Sequence, residues 1–285
     1  MKATNLASIK RLKKPHFWLL AIAAGLVAIN LTLTWRAGDV AHLGMSILFW
    51  AAVASLLWDK RQSLSFETNL FSRILGALLL AGMLLANASQ TDEHILRVFP
   101  FICALELGIL ASGFRGLKQY WQELTILFFL GVPSVLLSTP LTDISPITAR
   151  FSAFILWYSG FAVTRQGVYV SLPKGTIEVY AGCSGIEAMT YLLGLGVIFV
   201  VMFPTNLTQK IIVPIVGVAL GFVVNGFRVA LMAVLVASSN PKAFEYWHEG
   251  DGSLIFGMIS VLLFGFFCLL LLQQTEPKNQ DTTDF

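Results

Sequence analysis

Charge is scarce in this chain: 12% of its 285 residues are Asp, Glu, Lys or Arg, whereas 56% are hydrophobic. A soluble domain carries about twice that share of charge, so too little polar surface exists to cover a globule in water. The mean hydropathy of +0.75 points the same way. Cysteine is scarcer still, with three residues, Cys103, Cys183 and Cys268. An odd set with no CxxC pair excludes a disulfide framework and a thiolate zinc site. No two histidines stand at metal-ligating spacing, so neither a metal nor a cofactor is expected. Internal repeats and low-complexity tracts are absent, which excludes solenoids. The net charge of +3 comes largely from Lys and Arg at the ends of apolar runs, so nucleic acid is not an expected partner.

What the chain does have is long apolar runs. Eight qualify as membrane helices, near 17–34, 40–58, 71–89, 95–113, 121–138, 187–203, 211–237 and 254–272. The first follows "KRLKK" and lacks a small-residue cleavage site after it, so it reads as a retained span rather than a secretory signal. The expected fold is an all-α membrane protein, a multi-pass bundle of about eight transmembrane helices forming one integral membrane domain over 1–285. Within it we distinguish a five-helix part (1–145), a part carrying the candidate chemistry (146–272) and a polar tail (273–285).

Basic residues cluster before the first span (Lys10, Arg11, Lys13, Lys14), after the second (Lys60, Arg61, Arg73) and after the fourth (Arg115, Lys118), while the intervening loops contribute only Arg36 and Arg97. The positive-inside rule then puts the N-terminus in the cytoplasm and the chain after span five outside. The apolar stretch 151–163 is too short to cross comfortably and is cut off by Arg150, so an interfacial helix on the outer surface is expected, with a ninth span as the alternative. Next, "GVYVSLPKGTIEVYAG" has two β-rich runs around Pro173-Lys174-Gly175 and predicts a short β-hairpin.

Three polar places interrupt the apolar pattern that follows. In "AGCSGIEAM", Cys183 and Ser184 stand where span six begins, and the free amides of a helix N-terminus stabilise a thiolate. Glu187, one turn further in, opposes an anion unless paired, and close packing beside Gly182 and Gly185 is the competing account of this cysteine. In "GVALGFVVNGFRVAL", Arg228 lies within an apolar span. At about 100° per residue, Gly217, Gly221, Asn225 and Arg228 share one face. The glycines permit close helix approach, to Gly194 and Gly196 of span six. A buried Arg faces protein or water, as a site residue, as a structural partner of Glu187, or by snorkelling near the outer end of the span. In "NPKAFEYWHEGDGS", His248 precedes span eight among Glu245, Glu249 and Asp251, with Gly250 and Gly252 loosening the backbone and Ser253 suited to cap the helix. Antiparallel spans bring all three places to one membrane face. Cysteine, histidine and arginine there make an acyl-transfer set: a nucleophile, a proton carrier and an oxyanion donor. Cys103 and Cys268, inside spans, read as apolar filler.

"CSGI" at 183–186, "NGFR" at 225–228 and "HEGDG" at 248–252 occur in the order and spacing of the exosortase/archaeosortase family of membrane cysteine transpeptidases, which the chain resembles over its second half. The compact "WHEGDGS" is similar to the cyanobacterial branch, the cyanoexosortases. The resemblance implies Cys183 as nucleophile with Arg228 and His248 as partners, and Ser184, Gly185, Asn225 and Gly252 as supporting motif residues. It implies substrates that are exported proteins ending in a Pro-Glu-Pro motif, a membrane span and a basic tail (PEP-CTERM), an acceptor amine of unknown identity, and location in the cell (inner) membrane with the site outside. Where the family often has a basic residue soon after CSG, this chain has Glu187. A multi-pass transporter and a noncatalytic membrane scaffold are the alternatives. A transporter would carry polar residues in both membrane halves and an internal repeat.

Overall fold

The computed structural model describes residues 15–89, 92–137, 142–248 and 250–275. The basic N-terminal cluster, the start of the loop after span five, Glu249 and most of the polar tail lie outside the described residues. The chain forms two compact units, Met1–Leu137 and Ser138–Phe285.

The first unit is helical: α1 (Pro15–Arg36), α2 (Val40–Asp59), α3 (Leu70–Ser89), α4 (Glu93–Gly116) and α5 (Trp121–Leu137). Asp39 caps α2 by accepting the His42 amide at 2.9 Å, and Asp92 caps α4 by accepting that of His94 at 2.8 Å. α4 breaks at Gly113, whose φ of 66° suits glycine. α4 lies against α1, α3 and α5, and α2 against α1 and α5. Leu26, Leu80, Phe99 and Cys103 form a core cluster, so Cys103 is apolar filling as expected. Two cations that served the topology argument also pair: Lys60 with Glu123 at 2.8 Å, and Arg97 with Asp39 at 3.0 Å and Glu93 at 2.8 Å. The unit also buries Asn30, Thr34, His42, Ser46 and Glu106, and so the polar residues of the chain are not confined to its second half.

The second unit contains α6 (Ser145–Tyr158), β1 (Thr164–Gln166), β2 (Tyr169–Leu172), β3 (Gly175–Glu178), α7 (Ile186–Met202), α8 (Leu207–Ala237), α9 (Pro241–His248) and α10 (Asp251–Thr275). The short helix expected over 151–163 starts earlier and ends sooner. Pro146 suits its first turn, and Arg150 is no break because it sits on the exposed side. It stops at Gly160 (φ 85°), where Phe161 N–H reaches the Leu156 carbonyl and Gly160 N–H that of Trp157, a Schellman closure. The hairpin is one strand larger than expected. β1 pairs antiparallel with β2 through a turn at Gly167, where φ is 61°, and β2 pairs with β3 around Pro173-Lys174.

α8 organises this unit, touching α6, α7, α9, α10 and the sheet. Its N-terminus is closed by a reciprocal Asn206–Gln209 capping box. With 31 residues it is about 46 Å long, well beyond a hydrocarbon core of about 30 Å. Its glycine face does meet α7. A Cβ on Gly217 would lie 2.7 Å from the Leu192 carbonyl oxygen, and one on Gly221 2.9 Å from the Met189 backbone. These contacts stand one and two turns from the Gly194–Gly196 pair expected to receive them. Gly196 itself faces Pro214. Since α7 begins opposite Asn225, the rest of α8 runs on for roughly 18 Å. α6 and the sheet pack there, burying Ala149, Leu156, Val170 and Leu172 against Val229, Ala230 and Ala233.

All eight expected spans correspond to helices. Six stretches of the described chain are long and apolar enough to cross a membrane; one of them, Glu93–Leu137, contains both α4 and α5, and α7 is a shorter apolar helix of 17 residues. Exposed Trp35, Trp58, Trp121, Trp157 and Tyr158 sit at helix ends, the position of an interfacial aromatic belt. The molecule is a multi-pass helical membrane protein with a small three-stranded sheet.

Candidate active site

Cys183 is not in the first turn of an α-helix. It ends a short 3-10 turn, Ala181–Cys183, and α7 starts three residues later behind Gly185. The thiolate-stabilising helix end is therefore more remote than the sequence suggested. What holds the cysteine is its backbone. Cys183 N–H donates to the Tyr180 carbonyl at 2.9 Å, and its own carbonyl accepts from Asn225 Nδ2 at 2.9 Å. The next carbonyl, that of fully buried Ser184, accepts from Thr148 Oγ1 at 2.7 Å. Gly185 makes this possible: its φ is 95°, and a Cβ there would sit 2.6 Å from Asn225 Nδ2. Ser184 Oγ closes the turn by donating to the Ala181 carbonyl at 2.6 Å.

His248 is delivered by a helix rather than a loop. α8 ends with Ser239 in a left-handed conformation (φ 53°), Asn240 N–H returning to the Leu235 carbonyl. Pro241 then opens α9, of which His248 is the last residue. The ring lies parallel to Phe244, one turn back, with centroids 5.0 Å apart, and edge-on to Tyr180 at 6.3 Å. Its Nε2 is 3.2 Å from Cys183 Sγ, across a chain separation of 65 residues. Arg228, in the last third of α8, donates from Nη2 to the His248 main-chain carbonyl at 2.6 Å. Its Nε is buried and finds no partner among the described residues.

Gly252 stands where α9 meets α10, and a Cβ on it would strike the Tyr246 ring at 2.7 Å. Ser253 does not cap α10, which begins at Asp251; its Oγ donates back to the Gly250 carbonyl at 2.8 Å inside the first turn. Glu187 does not pair with Arg228. It is exposed and accepts the Tyr191 hydroxyl at 3.0 Å. Cys268 belongs to an apolar cluster with Leu192, Phe199 and Phe264.

Beside the Cys183–His248 pair lies a cleft of about 30 Å³, walled by Ile177, Glu178 and Val179 of the sheet region, Val229 and Met232 of α8, and Phe244. Sequence reasoning overlooked Thr148, Ser152, Phe244 and the sheet residues. Ser152 Oγ donates to the Gly226 carbonyl at 3.0 Å, tying α6 to α8 just past Asn225. Signals for three of these were present: Thr148–Ser152 and Phe244–His248 are both i,i+4 pairs, the spacing that stacks side chains on one helix face.

The family described as transmembrane exosortase (Exosortase_EpsH) matches residues 34–265 of the chain. Probable archaeosortase E of Methanocaldococcus jannaschii is 30% identical over 103 residues, which cover 36% of this chain and 53% of that protein. The match therefore spans about half the length of the relative. No solved structure matches.

Proposed function

The chain belongs to the transmembrane exosortase family, and from that premise we propose that it is a membrane-embedded cysteine peptidase and transpeptidase acting on exported proteins that end in a PEP-CTERM-type signal. The observation that carries this reading is the 3.2 Å approach of Cys183 Sγ to His248 Nε2. In the reaction, Nε2 takes the thiol proton as sulfur attacks the scissile carbonyl carbon, and the carbonyl electron pair moves to oxygen. That role requires Nδ1 to carry the ring proton. Arg228 acts twice. One arm holds the His248 backbone, and its buried Nε–H, which has no partner among the described residues, is the donor proposed for the oxyanion. Collapse expels the amine, which takes the proton from His248 and leaves a thioester on Cys183. Water or an acceptor amine then attacks the thioester, giving an acid or a new amide and restoring the thiol. Asn225 and Thr148 keep the nucleophile's backbone in place.

The protein is proposed to lie in the cell (inner) membrane with this site outside, on the positive-inside argument. Full-length protein co-expressed with a reporter ending in a Pro-Glu-Pro motif, an apolar span and a basic tail tests the activity. Cys183→Ala and Cys183→Ser should abolish shortening of the reporter at normal abundance, since a hydroxyl is a far weaker acid than a thiol of pKa about 8.5. Cys103→Ser and Cys268→Ser should process it almost normally. Shortening by the Cys183→Ala protein would rule the reading out. A solute path is the second reading, favoured by Asn30, Thr34, Ser46 and Glu106 buried in the first unit; it predicts that Cys183→Ala leaves function intact.

A further inference from the structure

The sheet runs in the order β1-β2-β3, so β3 is an edge strand. Its hydrogen-bonding register follows from one bond. Val179 N–H donates to the Val168 carbonyl at 3.0 Å, and 168 stands opposite 179 in the same register that pairs Val170 with Ile177 and Leu172 with Gly175. Antiparallel ladders alternate bonded and non-bonded pairs. Residues 175, 177 and 179 therefore bond to β2, while Thr176 and Glu178 turn their N–H and C=O off the sheet. The hydroxyl contact of Thr176 with Ser171 at 2.9 Å fits this assignment, because side chains approach more closely in non-bonded pairs. Thr176 and Glu178 are exposed. The inner face of β3 is occupied at its start, since Gly175 sits against Val236 and Ala237 of α8, and the end of the strand, Ile177 and Glu178 with Val179 after it, lines the cleft that holds Cys183 and His248.

We propose that the open edge of β3 receives the extended segment of the substrate polypeptide that carries the bond to be cut, adding it as a fourth strand. The proposal rests on the cysteine transpeptidase reading above and supplies its means of holding substrate. Donors and acceptors repeating every second residue, about 7 Å apart, match the main chain of another extended peptide and little else. An open edge cannot face hydrocarbon, where unpaired amides go unsatisfied, so the strand must lie in water or against polypeptide. Beyond Glu178 the chain turns at Tyr180 into Cys183, so a peptide lying along β3 passes its carbonyl over the thiol. The neighbouring cleft, small and mostly apolar, receives one compact side chain of that peptide.

The experiment uses full-length protein in detergent and a semisynthetic reporter, a soluble domain joined to a Pro-Glu-Pro motif, an apolar span and a basic tail. Single amides around the cut site are replaced one at a time by esters, each of which removes one N–H. Esters at alternate positions should raise KM about three- to tenfold, the effect of one lost hydrogen bond, and those between them should have little effect. Glu178→Pro deletes one of the two outward N–H groups of β3 without touching its ladder to β2 and should raise KM more than Glu178→Ala, which keeps it. Arg165→Pro, on the opposite edge of the sheet, should cleave normally. A flat ester series, or Glu178→Pro with wild-type KM, overturns strand addition while leaving the cysteine mechanism standing. Failure of the mechanism itself reads differently: wild-type protein then cleaves no reporter at all.

Discussion

In the proposed reaction Arg228 does two jobs with one planar group, and this makes it the residue most sensitive to a conservative change. Its Nη2 is committed to the His248 carbonyl at 2.6 Å and its Nε is buried without a partner among the described residues. A lysine brings the charge and three donors, but these radiate from one nitrogen and do not reproduce the spaced, planar Nη2 and Nε donors of the guanidinium. Arg228→Lys should therefore accumulate normally yet lower the rate of reporter shortening about 100-fold or more, the usual cost of one oxyanion donor. Near-normal initial rates would reduce Arg228 to a structural cation. Gly185 is sensitive for a different reason. At φ 95°, with Asn225 where a Cβ would go, Gly185→Ala adds backbone strain of about 1–3 kcal/mol and displaces the amide that holds the Cys183 carbonyl. Thermal unfolding in detergent should show a lowered midpoint, and cleavage should fall with it.

Between elements, the α7–α8 seam sets where the cysteine meets its partners. Gly217 and Gly221 let the two backbones touch, and the register they impose carries on to Asn225 and the Cys183 carbonyl. Gly221→Val places methyl groups against the Met189 backbone, which cannot rotate away, so the helices must separate at an overpacking cost of about 1–3 kcal/mol. Gly265→Ala on α10 meets nothing within 4 Å and serves as the matched control. The expected outcome is loss of both stability and cleavage in the first variant and of neither in the second, read by thermal unfolding and reporter shortening on the same preparations. α6 contributes to the same register from the other side. Phe151 lies where a Gly226 side chain would be, and Thr148 and Ser152 bond to carbonyls of the CSG turn and of α8.

For the molecule as a whole, the surface is that of a protein in lipid: Phe71, Leu78, Leu85, Ile215, Leu262 and Phe266 are all exposed on long apolar helices. α6 is about 21 Å long, too short to span a hydrocarbon core of about 30 Å. It buries Ser145, Thr148 and Ser152 while exposing Ile147, Phe154 and Trp157, which suits an interfacial position. The expected topology keeps 150–182 on the outer side. A periplasmic-type reporter fused after Lys174 should be active and a cytoplasmic-type reporter inactive; the reverse pattern would put a ninth crossing at α6.

Much of this is legible in the sequence. Apolar runs long enough to satisfy their own backbones have no alternative to helix in lipid, so the spans, and the glycine face of α8, follow from composition and period alone. Arg228 was visible because a charge is costly within an apolar span, while Cys183 and His248 stood out with it as polar places that antiparallel spans bring to one membrane face. Tertiary structure decided the rest, because it depends on contacts between residues far apart in the chain. It put His248 on a helix end and Cys183 in a 3-10 turn, and it brought Sγ and Nε2 to 3.2 Å. Thr148 shows the limit: on a helical pattern it is one small residue among several, and only the fold aims its hydroxyl at the carbonyl of Ser184. β1 was hidden for a similar reason, since three residues hold too little periodicity to announce a strand, and only pairing with β2 makes them one.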